Sequence, residues 1–425
     1  MACSLHSPPI PIDTFQSLPP ELIAPIYALV FDTHFCCPKH FANVLRTSKE
    51  FYVNNVWRLY DIVSLDDHNC KAFFDGWEGA GGEGSELDID SWDFATCSQT
   101  FQHHNEPDPP TGIIPLNLHS ASRKVLLWRY CRSLRLESVT AVRMAALASD
   151  RLDTEWRKYR TERSPPDEED PDYYLYTGFT IPSDTHPLFP SLKRISFALP
   201  IMQELYYHPE QIPEASAATG EISIRSAMSA LMSRLKRGAA VCMRLPDTTK
   251  GYEEIMDEDE RRDMLWVERT RFSMVIYDIV ALSHCLPSRL VFHGVHAADW
   301  KTRVSRTPSF GLDLIHGNDG ELRRESERVK MEQVKQWCKG FFRKISDERP
   351  IGFPTHVDIT SFTSYPVSFG YAAEQHEDVV DGSYKQFQQF LEDLPGYSAW
   401  AGDSRGTLTL GPSQMCEICQ YEGHA

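Results

Sequence analysis

Apolar residues recur along this chain in two rhythms, and the first, at three- and four-residue spacing, occupies residues 17–65. Leu22, Ile26, Leu29 and Val30 fall on one face of a helix. Its start is marked by Pro19 and Pro20, which suit a first turn whose N–H groups lack partners, and by Glu21, which complements the positive end of the helix dipole. After Pro38 a second helix is expected from about Lys39, with Phe41, Val44 and Leu45 turned inward. Thr47-Ser48-Lys49-Glu50 is a capping-box pattern that opens a third, carrying Phe51, Tyr52, Val56, Leu59 and Tyr60 at helical spacing. The chain then leaves as a strand over 61–65.

Beyond residue 116 short strand-like runs alternate with helical ones. Strands are predicted over 133–139, 192–199 (where Ile195, Phe197 and Leu199 alternate), 241–245, 289–295, 356–362 and 407–410. Between them helices are predicted over 224–237, 264–284, 321–346 and 384–394, the first ending at Gly238 and the last stopped by Pro395-Gly396. Phe272, Val275, Ile276 and Ile279 mark one buried helical face; Val334, Trp337, Cys338, Phe341, Phe342 and Ile345 mark another. Alternating strands and helices define an α/β fold, with α+β as the alternative. The expected architecture is a mostly parallel sheet packed by helices, either an open layer or a curved solenoid. Successive strands are about 45 to 70 residues apart, against about 20–29 in a regular leucine-rich repeat, so a regular horseshoe is not expected.

The domain reading follows. Residues 1–16 form a disordered start and 17–66 a helical module. Residues 76–115, with their Gly, Glu, Asp and Pro content, form a flexible linker or loop. The α/β domain covers 116–412, interrupted by a loop over 164–187 of which Tyr173, Tyr174, Tyr176 and Phe179 suggest that part packs down. Residues 413–425 are a tail.

Composition narrows the function classes. With 41% hydrophobic and 11% aromatic residues in 425, the chain can bury a large core. A formal charge of −17 repels nucleic acid, whose binding rests on Lys and Arg displacing counterions. The acidic runs 167–172 and 253–263 read as solvated surface. No run of 18 apolar residues and no signal-peptide pattern is found, so the expectation is no membrane. Eleven scattered cysteines fit reduced thiols in a cytoplasmic or nuclear protein without structural disulfides.

SLPPELIAPIYALVF (17–31), followed by HFANVLRTSKEFYVNNVWRLYDIVSL (40–65), resembles an F-box of the kind common in fungal proteins. It matches in order the opening Leu-Pro and Glu-Leu, the central apolar helix, the small-residue and basic turn before an aromatic, and the late Trp and Leu-Tyr. The match covers about one eighth of the chain. The loop 32–39 (DTHFCCPK) is longer than usual for the family, and Pro25 lies inside the first helix. The segments 131–139, 188–197 and 286–295 also resemble the irregular leucine-rich strand entries that follow many fungal F-boxes. The resemblance implies a substrate-recognition subunit of a cullin-RING (SCF-type) ubiquitin ligase. Its adaptor contacts would be Leu18, Pro19, Leu22, Ile23, Ile26, Leu45 and Trp57, its first partner a Skp-type adaptor, and its target an unidentified protein held by the α/β domain. Two other readings stay open: a scaffold unconnected to ubiquitin, and an enzyme with a pocket in the α/β domain.

Chemistry-bearing motifs are sparse. A Gly-rich phosphate loop, a G-x-S-x-G elbow and an H-E-x-x-H helix are all missing, so no catalytic residue and no cofactor are expected. His284, His293, His296 and Asp358 stand out only as residues at strand ends, where scaffold roles are commonest. His34, Cys36, Cys37 and His40 crowd one loop, but adjacent cysteines point apart. Cys416 and Cys419, with His424 beyond, have the spacing of a zinc half-site. No second CxxC lies near, so the expectation is a frayed tail without metal.

Overall fold

In a computed structural model the described residues are 38–46, 55–75, 120–163, 188–210, 222–235, 237–246, 257–281, 286–295, 309–314, 322–348, 353–360, 367–371 and 382–411, with Pro19, Lys49, Tyr52, Trp77, Cys416, Ile418 and Cys419. The first predicted helix, the disordered start, the body of the 76–115 linker, the loop 164–187 and His424 lie outside them.

Among the described residues nine strands form one sheet: β1 (Ile62–Leu65), β2 (Ser133–Leu136), β3 (Arg194–Phe197), β4 (Ala240–Arg244), β5 (Arg289–Val295), β6 (Ser309–Leu314), β7 (His356–Thr360), β8 (Val367–Gly370) and β9 (Thr407–Leu410). The spatial order is β1-β2-β3-β4-β5-β6-β7-β9-β8. Each strand from β1 to β7 lies beside the next in the chain, parallel to it, and β9 continues the array; β8 alone turns back, antiparallel to β9 at the outer edge. The α/β class is thus observed, with a large, mostly parallel sheet.

Ten helices accompany it among the described residues: α1 (Pro38–Leu45), α2 (Cys70–Phe74), α3 (Ser120–Trp128), α4 (Val139–Arg163), α5 (Leu199–Tyr207), α6 (Ile224–Ser233), α7 (Glu258–Ala281), α8 (Leu322–Glu348), α9 (Gly382–Glu392) and α10 (Tyr397–Gly402). None of them is long and apolar enough to cross a membrane.

Pleating divides the sheet into two faces, because successive side chains in a strand point opposite ways. Register carries one apolar row across all nine strands: Val63, Leu134, Ile195, Val241, Leu290, Phe310, Val357, Leu408 and Phe369. A second row, two residues on, runs Leu65, Leu136, Phe197, Met243, Phe292, Leu312, Ile359, Leu410 and Val367. Helices α2 to α10 all press buried residues into this face, among them Phe74, Trp128, Ala145, Ile201, Met228, Ile276, Phe342, Phe387 and Trp400, and together they make the main core. Among the described residues, helices therefore cover one face only. A doubly wound sheet would be covered on both.

The predicted strands 289–295 and 407–410 match β5 and β9 residue for residue. The strands predicted over 133–139 and 192–199 stop early, at Leu136 and Phe197, because a helix begins directly after each. Ser138 caps the first of these, its Oγ accepting from the Ala141 N–H at 3.2 Å, and Pro200 enters the first turn of the second. Strands β6 and β8 and helices α2, α3, α4, α5 and α10 were not expected.

The expected three-helix module is not seen as such. Only its second helix, α1, is described whole; Lys49, Tyr52 and Asn55 are helical and lead into a 3-10 turn, Val56–Tyr60. Phe41, Leu45 and Val56 form a small core with Leu127 and Tyr130 at the end of α3, so this segment is built onto the α/β unit. The linker expected from residue 76 also begins later than predicted: Trp77 is fully buried against Trp128, 5.8 Å between ring centres.

Candidate metal centre on the open sheet face

The face opposite the helices carries the alternate positions of every strand. One row reads Ser64, Arg135, Ser196, Cys242, Val291, Gly311, Asp358, Thr409 and Ser368. The row before it includes Ile62, Ser133, Arg194, Ser309, His356 and Thr407. This polar composition contrasts with the other face and explains why no described helix settles there: hydroxyl and charged groups would lose water without an apolar gain.

Near β7 the face holds a charged triad. Arg289 donates to the Asp358 carboxylate at 3.1 Å, and the other Asp358 oxygen accepts from His356 Nε2 at 3.0 Å. The hydrogen bond that His356 donates to Asp358 raises the His356 pKa above the usual 6.5, against the opposing effects of burial and of Arg289. A raised folded-state pKa makes the pair stabilising at pH values below the ordinary histidine range, and the contribution is lost as pH rises through the folded pKa. NMR titration should place the His356 midpoint above that of a free histidine, and Asp358→Asn should bring it down. An unchanged midpoint in that variant would remove the assigned cause.

At the centre of the same face four metal-ligating groups converge: Cys242, His293, Cys416 and Cys419, whose ligand atoms all lie within 4.8 Å of one another. Their positions follow from register. Cys242 on β4 stands beside Val291 on β5, and His293 is two residues further along β5, so its side chain emerges on the same face one step up. Immediately after His293 the pairing with β6 is irregular, and Gly294 adopts φ +74°. A side chain there would be strained and its Cβ would stand 3.2 Å from the Leu245 carbonyl, so glycine lets the strand turn directly beyond the histidine.

The other two groups arrive from the C-terminal segment. Ile418 is 3% exposed and packs against Cys242 and Val291, with Ala240 alongside. Burying an isoleucine contributes about 1.5–3 kcal/mol, and it places Cys416 and Cys419 on either side of the contact. Cys416 Sγ lies 3.9 Å from Cys242 Sγ, and Cys419 Sγ lies 3.4 Å from His293 Nε2. The expectation of a frayed tail therefore fails at Cys416, Ile418 and Cys419. Cys242 and His293 are both nearly inaccessible to solvent.

Surroundings act differently on the individual thiols. Burial pushes the Cys131 and Cys338 thiols far up, as expected for inert buried thiols. Cys242 is likewise raised, by burial first and then by its cysteine neighbours. The Cys416 thiol is strongly lowered, because Cys242 first, then Cys419 and His293, offer hydrogen bonds to its thiolate.

Of the metal candidates read from sequence, the structure joins Cys416 and Cys419. Cys242 was missed, and His293 was noted only as a residue at a strand end. Of the adaptor-contact residues, Pro19 is exposed, while Leu18, Leu22, Ile23 and Ile26 lie outside the described residues. Leu45 is 1% exposed in the small core, and Trp57 is half-buried with its ring 6.1 Å from that of Tyr130.

The architecture defines a one-sided, sequentially ordered parallel α/β sheet with a ligating cluster on its open face. Compared with family models, curated proteins and solved structures, the chain finds no match.

Proposed function

We propose that the protein is a non-catalytic receptor: its open sheet face holds a protein target, and its N-terminal segment delivers that target to a Skp-type adaptor of a cullin-RING ubiquitin ligase. The observation that carries the receptor reading is the one-sided covering of the sheet. Eight parallel strands and one antiparallel strand display a largely polar face to which no described helix is fitted, with Cys416, Ile418 and Cys419 seated on it at β4 and β5. Such a face offers alternate side chains of many strands at fixed spacing, the arrangement by which solenoid proteins build extended binding surfaces. The strands follow one another in space as in the chain, at intervals too irregular for a strict repeat, which agrees with an irregular leucine-rich-repeat-like domain.

Basic side chains also stand on this face: Arg135, Arg194 and Arg289, with Arg244 at the end of β4, all half-buried, and Arg289 is paired with Asp358. The adaptor reading rests on the F-box resemblance of 17–31 and 40–65. In this mechanism the ligase supplies the chemistry, and the receptor raises the effective concentration of target beside it.

Titration of the full chain with a Skp-type adaptor tests the reading. One-to-one binding at micromolar or tighter affinity is expected, abolished in the Leu22→Lys/Ile23→Lys double variant with the circular dichroism spectrum unchanged. Absence of binding by folded full chain would overturn the adaptor role. The second reading, a scaffold with no ubiquitin connection, is favoured by the commitment of Leu45 and much of Trp57 to the chain's own packing.

A further inference from the structure

We propose that Cys242, His293, Cys416 and Cys419 bind one zinc ion in a closed, tetrahedral structural site that staples the C-terminal segment onto the open face of the sheet across β4 and β5. The inference is independent of the receptor reading and rests on donor type, geometry and placement.

Three sulfurs and one imidazole nitrogen form a complete zinc ligand set. Soft thiolates select against calcium and magnesium, and four protein ligands leave no open coordination position, so the ion is structural. With Zn–S bonds of about 2.3 Å and Zn–N bonds of about 2.0–2.1 Å, a tetrahedron has S–S edges of about 3.8 Å and S–N edges of about 3.5 Å. The observed separations are 3.9 Å for Cys416–Cys242 and 3.4 Å for Cys419–His293. Two of the six edges of such a tetrahedron are thus matched, and all four ligand atoms, from three separate stretches of chain, lie within 4.8 Å of one another. A disulfide between Cys416 and Cys242 would need the sulfurs to close to about 2.05 Å, which this spacing does not approach.

The cluster is also assembled by forces that owe nothing to a metal. Register fixes Cys242 and His293 on one face, and Ile418 anchors the tail by burial. The CxxC pair therefore meets its partners preorganised. Ligation releases the thiol protons to solvent and leaves three thiolates, a neutral histidine and Zn(II) with a net charge of −1.

The full chain, purified under reducing conditions without metal-affinity steps, is expected to contain one zinc per chain by elemental analysis. After exchange, Co(II) should give the visible ligand-field and thiolate charge-transfer bands of a tetrahedral sulfur-rich site. Cys416→Ser/Cys419→Ser, which leaves the sheet untouched, should abolish both. His293→Ala should weaken zinc binding by more than the about 10- to 100-fold typical of losing an outer-shell partner, and His293→Cys should restore it. Cys338→Ala, remote from the cluster, should retain the ion. Two outcomes would each overturn the proposal: a reduced, folded chain that neither contains zinc nor takes up Co(II), or zinc retained in full by Cys416→Ser/Cys419→Ser. So would thiol counting that finds Cys416 or Cys419 in a disulfide in the native protein.

Discussion

Replacing Trp400 by alanine is expected to cost about 3–5 kcal/mol, the range for truncating a large buried aromatic, measured as a fall in the denaturant midpoint with the slope unchanged. Total stabilities of about 5–15 kcal/mol make this a large share. Trp400 is fully buried on α10, with its ring 5.3 Å from Phe342 and 6.0 Å from Phe341, both in edge-on geometry. Its Nε1–H donates to the Pro354 carbonyl at 2.7 Å, tying α10 to the segment entering β7. Gly406, just before β9, packs so closely on the indole that a Cβ there would collide with it. Trp400 thus fixes where the last strand enters the sheet. Trp400→Phe keeps most of the apolar area but leaves that carbonyl without its donor, so it should still cost about 1–3 kcal/mol.

At the opposite end of the sheet Trp128→Ala is expected to cost a similar about 3–5 kcal/mol, yet Trp128→Phe should cost clearly less than Trp400→Phe. Trp128 is fully buried at the end of α3, stacked on Phe73 at 5.8 Å and close to Phe74, Trp77 and Phe189. Its Nε1–H finds no acceptor among the described residues. Removing an unsatisfied buried donor recovers part of what the lost ring area forfeits. Parallel denaturation of the two phenylalanine variants decides the matter: equal losses would show that the indole N–H of Trp128 is satisfied in solution. The alanine variant should also loosen the N-terminal segment, because Leu127 and Tyr130 hold Phe41, Leu45 and Val56.

Legibility differed sharply between elements. β5 and β9 were readable to the residue, since Leu290 and Phe292, and Leu408 and Leu410, alternate with residues that face water or the cluster. β6 was overlooked although Phe310, Leu312 and Leu314 alternate as clearly, because Gly311 and Asp313 between them are poor strand formers in isolation. Gly311 is in place for a spatial reason, a Cβ there meeting the Val291 side chain at 3.2 Å. α4 was hidden behind the expected strand 133–139, although Ser138 stands where an N-cap belongs. The ligating cluster shows a different limit. The CxxC spacing was visible, but its other half is 174 residues away at Cys242 and 126 away at His293. No spacing rule spans such distances; only the relative register of β4 and β5 brings the two together. Period-two reading of both strands does place Cys242 and His293 off the apolar face, a signal that could have joined them to the CxxC pair.

The order of the strands has a consequence for how the chain is made. From β1 to β7 each strand docks on the one synthesised just before it, so the sheet can grow strand by strand as the polypeptide emerges, every addition covering the previous edge. The exception is β8, whose hydrogen-bonding partner β9 is translated after it. Until Thr407–Leu410 leaves the ribosome, the growing edge of the sheet is β7 with its backbone unpaired. A transcript truncated before residue 407 would therefore give a product with most of its core but a sticky open side, and aggregation of that product is the expected fate.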